Sequence, residues 1–449
     1  MGSNFPRDRY LFRPRRRTNP IKIYFLVFFI LIGAFIFREV QAGEIQKPFL
    51  PTPTPTRTAN SFATEGETYF LGGDIALAIE AYGQATRLEP NNSQVWSELA
   101  RIQTYSSNLL TTDAQKKQRL EEAIQSAETA VQVNAEDSSA YAILALAYDW
   151  YANPVYSGEE AATYLLKAEQ ACVKSLQLDS QNPMALAVRA EIFLDQFRYI
   201  DALDYAERAV KADPTLMDVH RVYGFVMESL GDSYVDAIEA YQKAVEINPN
   251  FTFLYLKIGQ NYRQLKKYEE ALESFVKAAR INEQNDVKDP IPYLAIARTY
   301  VQQGEFFIAA RNVMKALEFT PDNPAVYAQL GDVYHRSRNY EGAILAFACA
   351  LDGCTAKESC IVRQDCSEET PDEEVPDYPI IGLPLTNTTV VYYYTYGSEL
   401  SALHIRTNNY CEEAYRIFDI VRTQFVDDAG VMNIVTAGEA ICEANGVLR

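Results

Sequence analysis

One recurrence governs most of this chain. Ala78, Ala123, Ala168, Ala202, Ala237, Ala271, Ala309 and Ala343 are each followed seven residues later by a small residue: Ala85, Ala130, Ser175, Ala209, Ala244, Ala278, Ala316 and Ala350. Ahead of each, usually by twelve residues, stands another small residue: Gly66, Ala100, Ala145, Ala190, Gly224, Gly259, Ala297 and Gly331. Four residues at helical spacing before these sit mostly aromatic side chains: Phe62, Trp96, Tyr141, Leu186, His220, Tyr255, Tyr293 and Tyr327. Small residues at fixed points let paired helices approach closely, and bulky ones fill the space beside them. Pro90, Pro214, Pro249 and Pro321 stop the second helix of a pair and reset the chain. A pair of this kind cannot bury its apolar face alone, so neighbours must stack to make a core.

These residues resemble the tetratricopeptide repeat, a 34-residue helix–turn–helix unit. Eight units fit between residues 59 and 352, with AIEAYGQATRLEPNN, AIEAYQKAVEINPN and ALESFVKAARINEQN as the clearest helix B stretches. The resemblance implies an all-α, right-handed superhelical solenoid of about eight to nine units plus a closing helix. In the second and third units the two small residues lie 23 apart instead of twelve, which places insertions near Ser106–Lys116 and Ala152–Ala162. Longer A helices with tolerated loops account for them most simply. A ninth, degenerate unit is expected over 391–449, with Ala402, Ala414 and Phe418 as its small and aromatic positions and Val431–Ala444 as the closing helix.

The segment ahead of the repeats has a different chemistry. Arg7, Arg9, Arg13, Arg15, Arg16 and Arg17 make residues 1–20 a basic tail, although the whole chain carries a formal charge of −19. Residues 21–37 (IKIYFLVFFILIGAFIF) follow, interrupted only by Lys22. This reads as one transmembrane signal anchor, with the basic tail cytoplasmic and the repeats extracytoplasmic. Val40-Gln41-Ala42 also fits a cleavage site, and either reading exports the repeats. Residues 38–58 read as a spacer, because Pro48, Pro51, Pro53 and Pro55 favour an extended polyproline II chain.

Export gives the cysteines their meaning. Cys172 occupies an aromatic packing position and reads as a buried free thiol. The other six, Cys349, Cys354, Cys360, Cys366, Cys411 and Cys442, suggest three disulfides. A helix ending near Phe425 and a closing helix from about Val431 would run antiparallel, so Cys411 and Cys442 should face each other. The remaining four would then pair among themselves in one of three ways. Residues 353–390, with these cysteines, Glu368, Glu369, Asp372, Glu373, Glu374 and Asp377, read as an acidic loop insert.

Little else in the sequence carries chemistry. There is no phosphate-binding Gly-rich loop, no G-x-S-x-G, no HExxH and no C-x-x-C, and only three His. No cofactor, metal or catalytic residue is expected, and the acidic balance argues against nucleic acid. The resemblance implies instead that helix A lines a concave groove. Its peptide-binding subgroup grips a C-terminal carboxylate with Lys and Asn, and that clamp is absent here. In units five to seven the corresponding places hold Phe225, Phe253, Leu256, Ile291 and Leu294, interleaved with Arg221, Arg263 and Arg298. Apolar anchors with Arg suit a peptide or protein partner. The expected function is a non-enzymatic, membrane-tethered scaffold of undetermined oligomeric state. The alternative is an extracytoplasmic assembly factor, or a solenoid that binds wall polymer or another polysaccharide.

Overall fold

Nine helical hairpins and a closing helix follow one another after residue 58 in the described residues. The computed structural model describes residues 19–42, 57–110, 112–405 and 408–447. The basic run at Arg7–Arg17 and the prolines of the spacer lie outside them. Helices A and B are Ala59–Gly72 and Ile75–Leu88 in unit one, Ser93–Ser107 and Asp113–Val133 in unit two, and Ser138–Tyr151 and Ala161–Leu178 in unit three. Pro183–Asp195 and Tyr199–Ala212, Met217–Ser229 and Tyr234–Ile247, and Thr252–Gln264 and Tyr268–Gln284 form units four to six. Ile291–Gln303 and Phe306–Phe319, then Pro324–Arg336 and Tyr340–Leu351, form units seven and eight. Unit nine is Val390–Leu403 with Tyr410–Phe425, closed by Ala429–Ala444. Among the described residues there is no strand, only two isolated bridges.

The periodic small residues do what their spacing requires. Gly259 of helix A faces Phe275 of helix B so closely that a Cβ there would lie 2.4 Å from the ring. Gly66 meets Tyr82, Gly224 meets Tyr241 and Gly331 meets Phe347 in the same way. The turn between the helices has its own rule. Seven residues after the small residue of helix A, the backbone enters the left-handed region at Gly73, Phe197, Gly231, Lys266, Gly304 and Arg338. Caps finish the work: the side chains of Asp74, Asn92, Asp137, Asn182 and Asn323 accept backbone N–H groups at helix starts.

The same glycine–aromatic contact corrects the ninth register. Gly397, not Ala402, lies against Phe418, with a Cβ distance of 2.5 Å, and Ala402 is exposed. The turn of this unit is longer than in its neighbours, which shifted the small residue out of step with Ala414. Phe418 is also covered from the other side by Gly438 of the closing helix.

The two insertions lengthen helix B, not helix A. Helix B of unit two has 21 residues and that of unit three has 18, against 14 in unit one. The remaining extra residues form the loop around Asn108 in unit two, and a short helix, Pro154–Ser157, in unit three.

Residues far apart in the chain then meet. The Asn250 side chain donates to Leu71 O at 3.0 Å, and Asn285 donates to Gly72 O at 2.6 Å. Gly73 has φ +88°, and a Cβ there would lie 2.4 Å from Asn250 O, so only glycine satisfies both the turn and the approach. Phe70 and Phe251 pack with their rings tilted and their centroids 5.5 Å apart, and Phe251 also packs against Tyr105 at 5.8 Å. Asp218, fully buried, accepts from Arg101 Nη1 at 2.9 Å and from the Tyr105 hydroxyl. The helix A faces of units one and two thus pack onto units five and six, and one hydrophobic core runs from Phe70 to Ile258.

The cysteines pair as Cys349–Cys354, Cys360–Cys366 and Cys411–Cys442, with Cα–Cα distances of 4.7, 5.3 and 5.6 Å. The acidic insert is not wholly a loop: Ala356–Val362 is a helix with a Thr355–Glu358 capping box, and Cys354 bridges antiparallel to Ile380. Cys172 is a buried free thiol whose Sγ–H donates to Ala185 O at 3.4 Å.

Residues 1–57 form a separate unit. Its described helix, Pro20–Ala42, has 23 residues and outruns the apolar run 21–37 at both ends. At about 1.5 Å per residue it is about 34 Å long, and among the described residues it alone is long and apolar enough to cross a membrane.

Candidate functional site

The eight expected groove residues divide among three places. Leu256 is 4% exposed and packs with Phe275 and Ile296 in the core between units six and seven. It cannot serve as a surface anchor. Arg221, Phe225 and Phe253 line a cavity of about 570 Å³ on units two to six. There Arg221 is 2% exposed and holds Glu191 through both terminal nitrogens, at 3.0 and 2.8 Å. It is a buried ion-pair member, not an open groove contact. Phe253 is likewise buried. The open groove expected across units five to seven is closed here because the solenoid packs its own A helices together.

The other four residues do come together. Arg263, Ile291, Leu294 and Arg298 line a cavity of about 180 Å³, whose far side is Asn108, Leu110 and Lys116 from the unit-two insertion. Leu294 is mostly buried beneath it, while Arg298 is exposed. Arg263, Arg298 and Gln329 also line an adjoining cavity of about 360 Å³ that reaches Arg336 and Tyr392. Helix A of units six, seven and eight supplies most of this surface, so successive turns of the repeat set its spacing.

Its electrostatics are unusual. Burial and the adjacent Arg298 guanidinium hold Arg263 below the ordinary arginine range. Arg263 Nη1 is buried without a hydrogen-bond partner among the described residues. Arg298 Nε donates to Gln329 Oε1 at 3.2 Å, a neutral acceptor. Arg336 has its own carboxylate, Asp332, at 2.8 Å. Two like charges side by side, one of them desolvated, favour an incoming anion. The apolar part of the surface comes from Ile291, Val301 and Tyr392.

Sequence reading found Arg263 and Arg298 because helix A positions were tracked unit by unit. It missed Lys116, which arrives from an insertion more than 140 residues upstream of Arg263. It also missed Tyr392, which belongs to the unit whose register had slipped. Among the described residues no group of three or more His, Cys, Asp or Glu is placed to hold a metal, the acidic insert included.

Known proteins resemble the chain in its repeats. The tetratricopeptide-repeat family matches residues 59–92, 252–285 and 294–357. Anaphase-promoting complex subunit 3 of Schizosaccharomyces pombe is 26% identical over 28% of this chain and 18% of its own length. The TPR repeat-containing protein YpiA of Bacillus subtilis is 26% identical over 32% of this chain and 33% of its own. The chain therefore spans about a third or less of these relatives. The crystal structure of YrrB, described as a TPR protein with an unusual peptide-binding site, aligns with 45% of this chain and 96% of its own. Sequence identity there is 24% and the TM-score 0.30.

Proposed function

This chain is a tetratricopeptide-repeat protein, and from that premise we propose that it is a non-enzymatic scaffold that captures an acidic segment of a protein partner. The observation that carries this reading is the unneutralised pair Arg263 and Arg298 beside apolar side chains. A carboxylate from the partner would relieve the repulsion between them, and its apolar residues would cover Ile291 and Tyr392. The repeats hold the surface rigid through stacked cores, as an interaction site needs.

The tether and the compartment belong to the same proposal. Pro20–Ala42 anchors the chain in a membrane, the basic tail stays cytoplasmic and the repeats work outside. Three disulfides support an oxidising compartment.

Capture of partners by the full-length chain in detergent, compared with Arg263→Glu plus Arg298→Glu, tests the site. Loss of a specific partner at unchanged helical content is expected. A folded double mutant that captures the same partner would place recognition elsewhere on the solenoid.

A further inference from the structure

The larger cavity, of about 570 Å³, has the opposite charge and a different construction. Its volume falls in the usual range for small-molecule pockets. Both insertions help build it: Asn108 comes from unit two, and Asn153, Pro154 and Tyr156 from unit three. Inside, Asp149 is 4% exposed and its Oδ1 has no hydrogen-bond partner among the described residues. Arg221 Nε is buried and equally unpartnered, although the other two guanidinium nitrogens hold Glu191. Both residues line the cavity.

The charges decide what this space can take. Glu191 is neutralised by Arg221, and Lys257 is neutralised by Glu228 at 2.6 Å. Asp149 and Asp195 are left without a cation. The walls are aromatic: Trp150, Phe225 and Phe253, with Phe197 at the rim and 78% exposed. Arg221 lies 5.6 Å from the Trp150 ring centroid, and Lys257 lies 5.1 and 5.9 Å from those of Phe225 and Phe253, so the carboxylates supply the attraction for an organic cation and the rings an apolar wall for its body. The unpartnered Arg221 Nε asks for an acceptor on the same guest.

We propose that this cavity binds an ammonium or guanidinium group whose attached body carries a hydrogen-bond acceptor, with Asp149 and Asp195 taking the cation and Arg221 Nε the acceptor. This site is separate from the Arg263–Arg298 surface and stands or falls independently of it. The same chemistry is found on a free solute and on a basic side chain of a partner peptide.

The two carboxyls titrate differently. Burial, then Asp195 and Glu191, push Asp149 well above the carboxylate range, while Arg221 pulls the other way. Asp195 is pushed up to about 6, by burial and then Glu191. The Cys172 thiol, also near Asp149, is pushed up to about 12, first by burial, and stays neutral. Asp149 keeps its proton and shares a hydrogen bond with Asp195, so the pair carries one negative charge once Asp195 ionises, and affinity should rise as pH passes through about 6.

Calorimetric titration of the full-length chain in detergent tests the assignment, with the Nα-acetylated amides of arginine and citrulline (argininamide and citrullinamide for short), the second an uncharged isostere of the first, and the blocked tripeptide acetyl-Ala-Arg-Ala-amide as probes. Argininamide should bind, and citrullinamide should bind about a hundredfold more weakly. Asp195→Asn should weaken argininamide about a hundredfold, and Asp149→Asn, which replaces a neutral carboxyl, about tenfold, with thermal unfolding unchanged or raised. Binding of the tripeptide alone would identify a partner's side chain as the source; binding of argininamide alone would identify a free solute. If neither probe binds, or if citrullinamide matches argininamide, or if both variants bind like the native chain, the assignment is wrong.

Discussion

Units one to six and units seven to nine are built from the same repeat but are held together differently. The first region has one free cysteine and no disulfide. It is fastened by contacts between distant repeats, such as Arg101 with Asp218 and Asn250 with Leu71. The second has its own hydrophobic core, from Leu294 to Cys442, and three disulfides that span only 5, 6 and 31 residues. A stack of repeats normally draws its stability from nearest neighbours. Here the first region adds long-range packing, and the second, which ends in a helix with a single neighbouring hairpin, adds covalent bonds. The array is reinforced in each place by the means that its surroundings allow.

The most disruptive test of this contrast is Asp218→Ala. It leaves the Tyr105 hydroxyl and Arg101 Nη1 buried without their acceptor, while Arg101 keeps Glu98 at 2.7 Å, at a cost of about 3–4 kcal/mol. Urea unfolding should separate into two transitions, the first confined to units one to six in hydrogen exchange. A single cooperative shift of the whole array would show that the two regions are not independent.

Cys411→Ser plus Cys442→Ser should do the reverse. The enclosed loop of about 30 residues makes the loss about 3 kcal/mol. Exchange protection should fall in Tyr410–Phe425 and Ala429–Ala444 and stay unchanged around Asp218. Reduction of the native protein should mimic it.

Asp289 lies at the junction of the two regions and makes the comparison pH-dependent. Burial pushes its carboxyl up to about 6, against the bonds from Ile291 N–H and Asn282. The folded state therefore binds this proton more tightly than the unfolded state does. Stability from this group is full below the unfolded value and is lost as pH rises through about 6. A shift of about two units corresponds to about 3 kcal/mol at most. Asp289→Asn should remove that slope between about pH 4 and 6, which thermal melts across the range would read directly.

The smallest effect is expected from Gly259→Ala. A single methyl group must displace the Phe275 ring, at a cost of about 1–2 kcal/mol. Its melting curve should show the loss in unit six, with the Cys411–Cys442 hairpin unaffected.

The repeats, the close approach of paired helices at small residues and the facing of Cys411 and Cys442 were legible in the sequence because they depend on residues within one hairpin or on its immediate neighbour. The slip at Ala402 has the same root. The spacing rule assumes a short turn, and the longer turn of unit nine broke it. The destination of the insertions was not legible, since helix A and helix B can absorb extra residues equally well in pattern. Closure of the groove was beyond reach for a stronger reason. Asn285 meets Gly72 across 213 residues, and small changes in each repeat's rotation accumulate over that distance. Arg221 could thus be placed on the right helix face and still be assigned to the wrong surroundings. The unpartnered oxygen of Asp149 depends on what five units leave between them, and no local pattern records that.

The odd cysteine has a consequence for how a chain with three disulfides is made. Translation delivers units three and four well before Cys349 emerges. Once those units pack, the Cys172 sulfur is enclosed, bonded to Ala185 O and held as a thiol by burial. A thiol that cannot ionise is a poor attacker of disulfides. The order of residues along the chain therefore acts as a timetable: the unpaired sulfur is put out of reach first, and the six that must pair meet only one another.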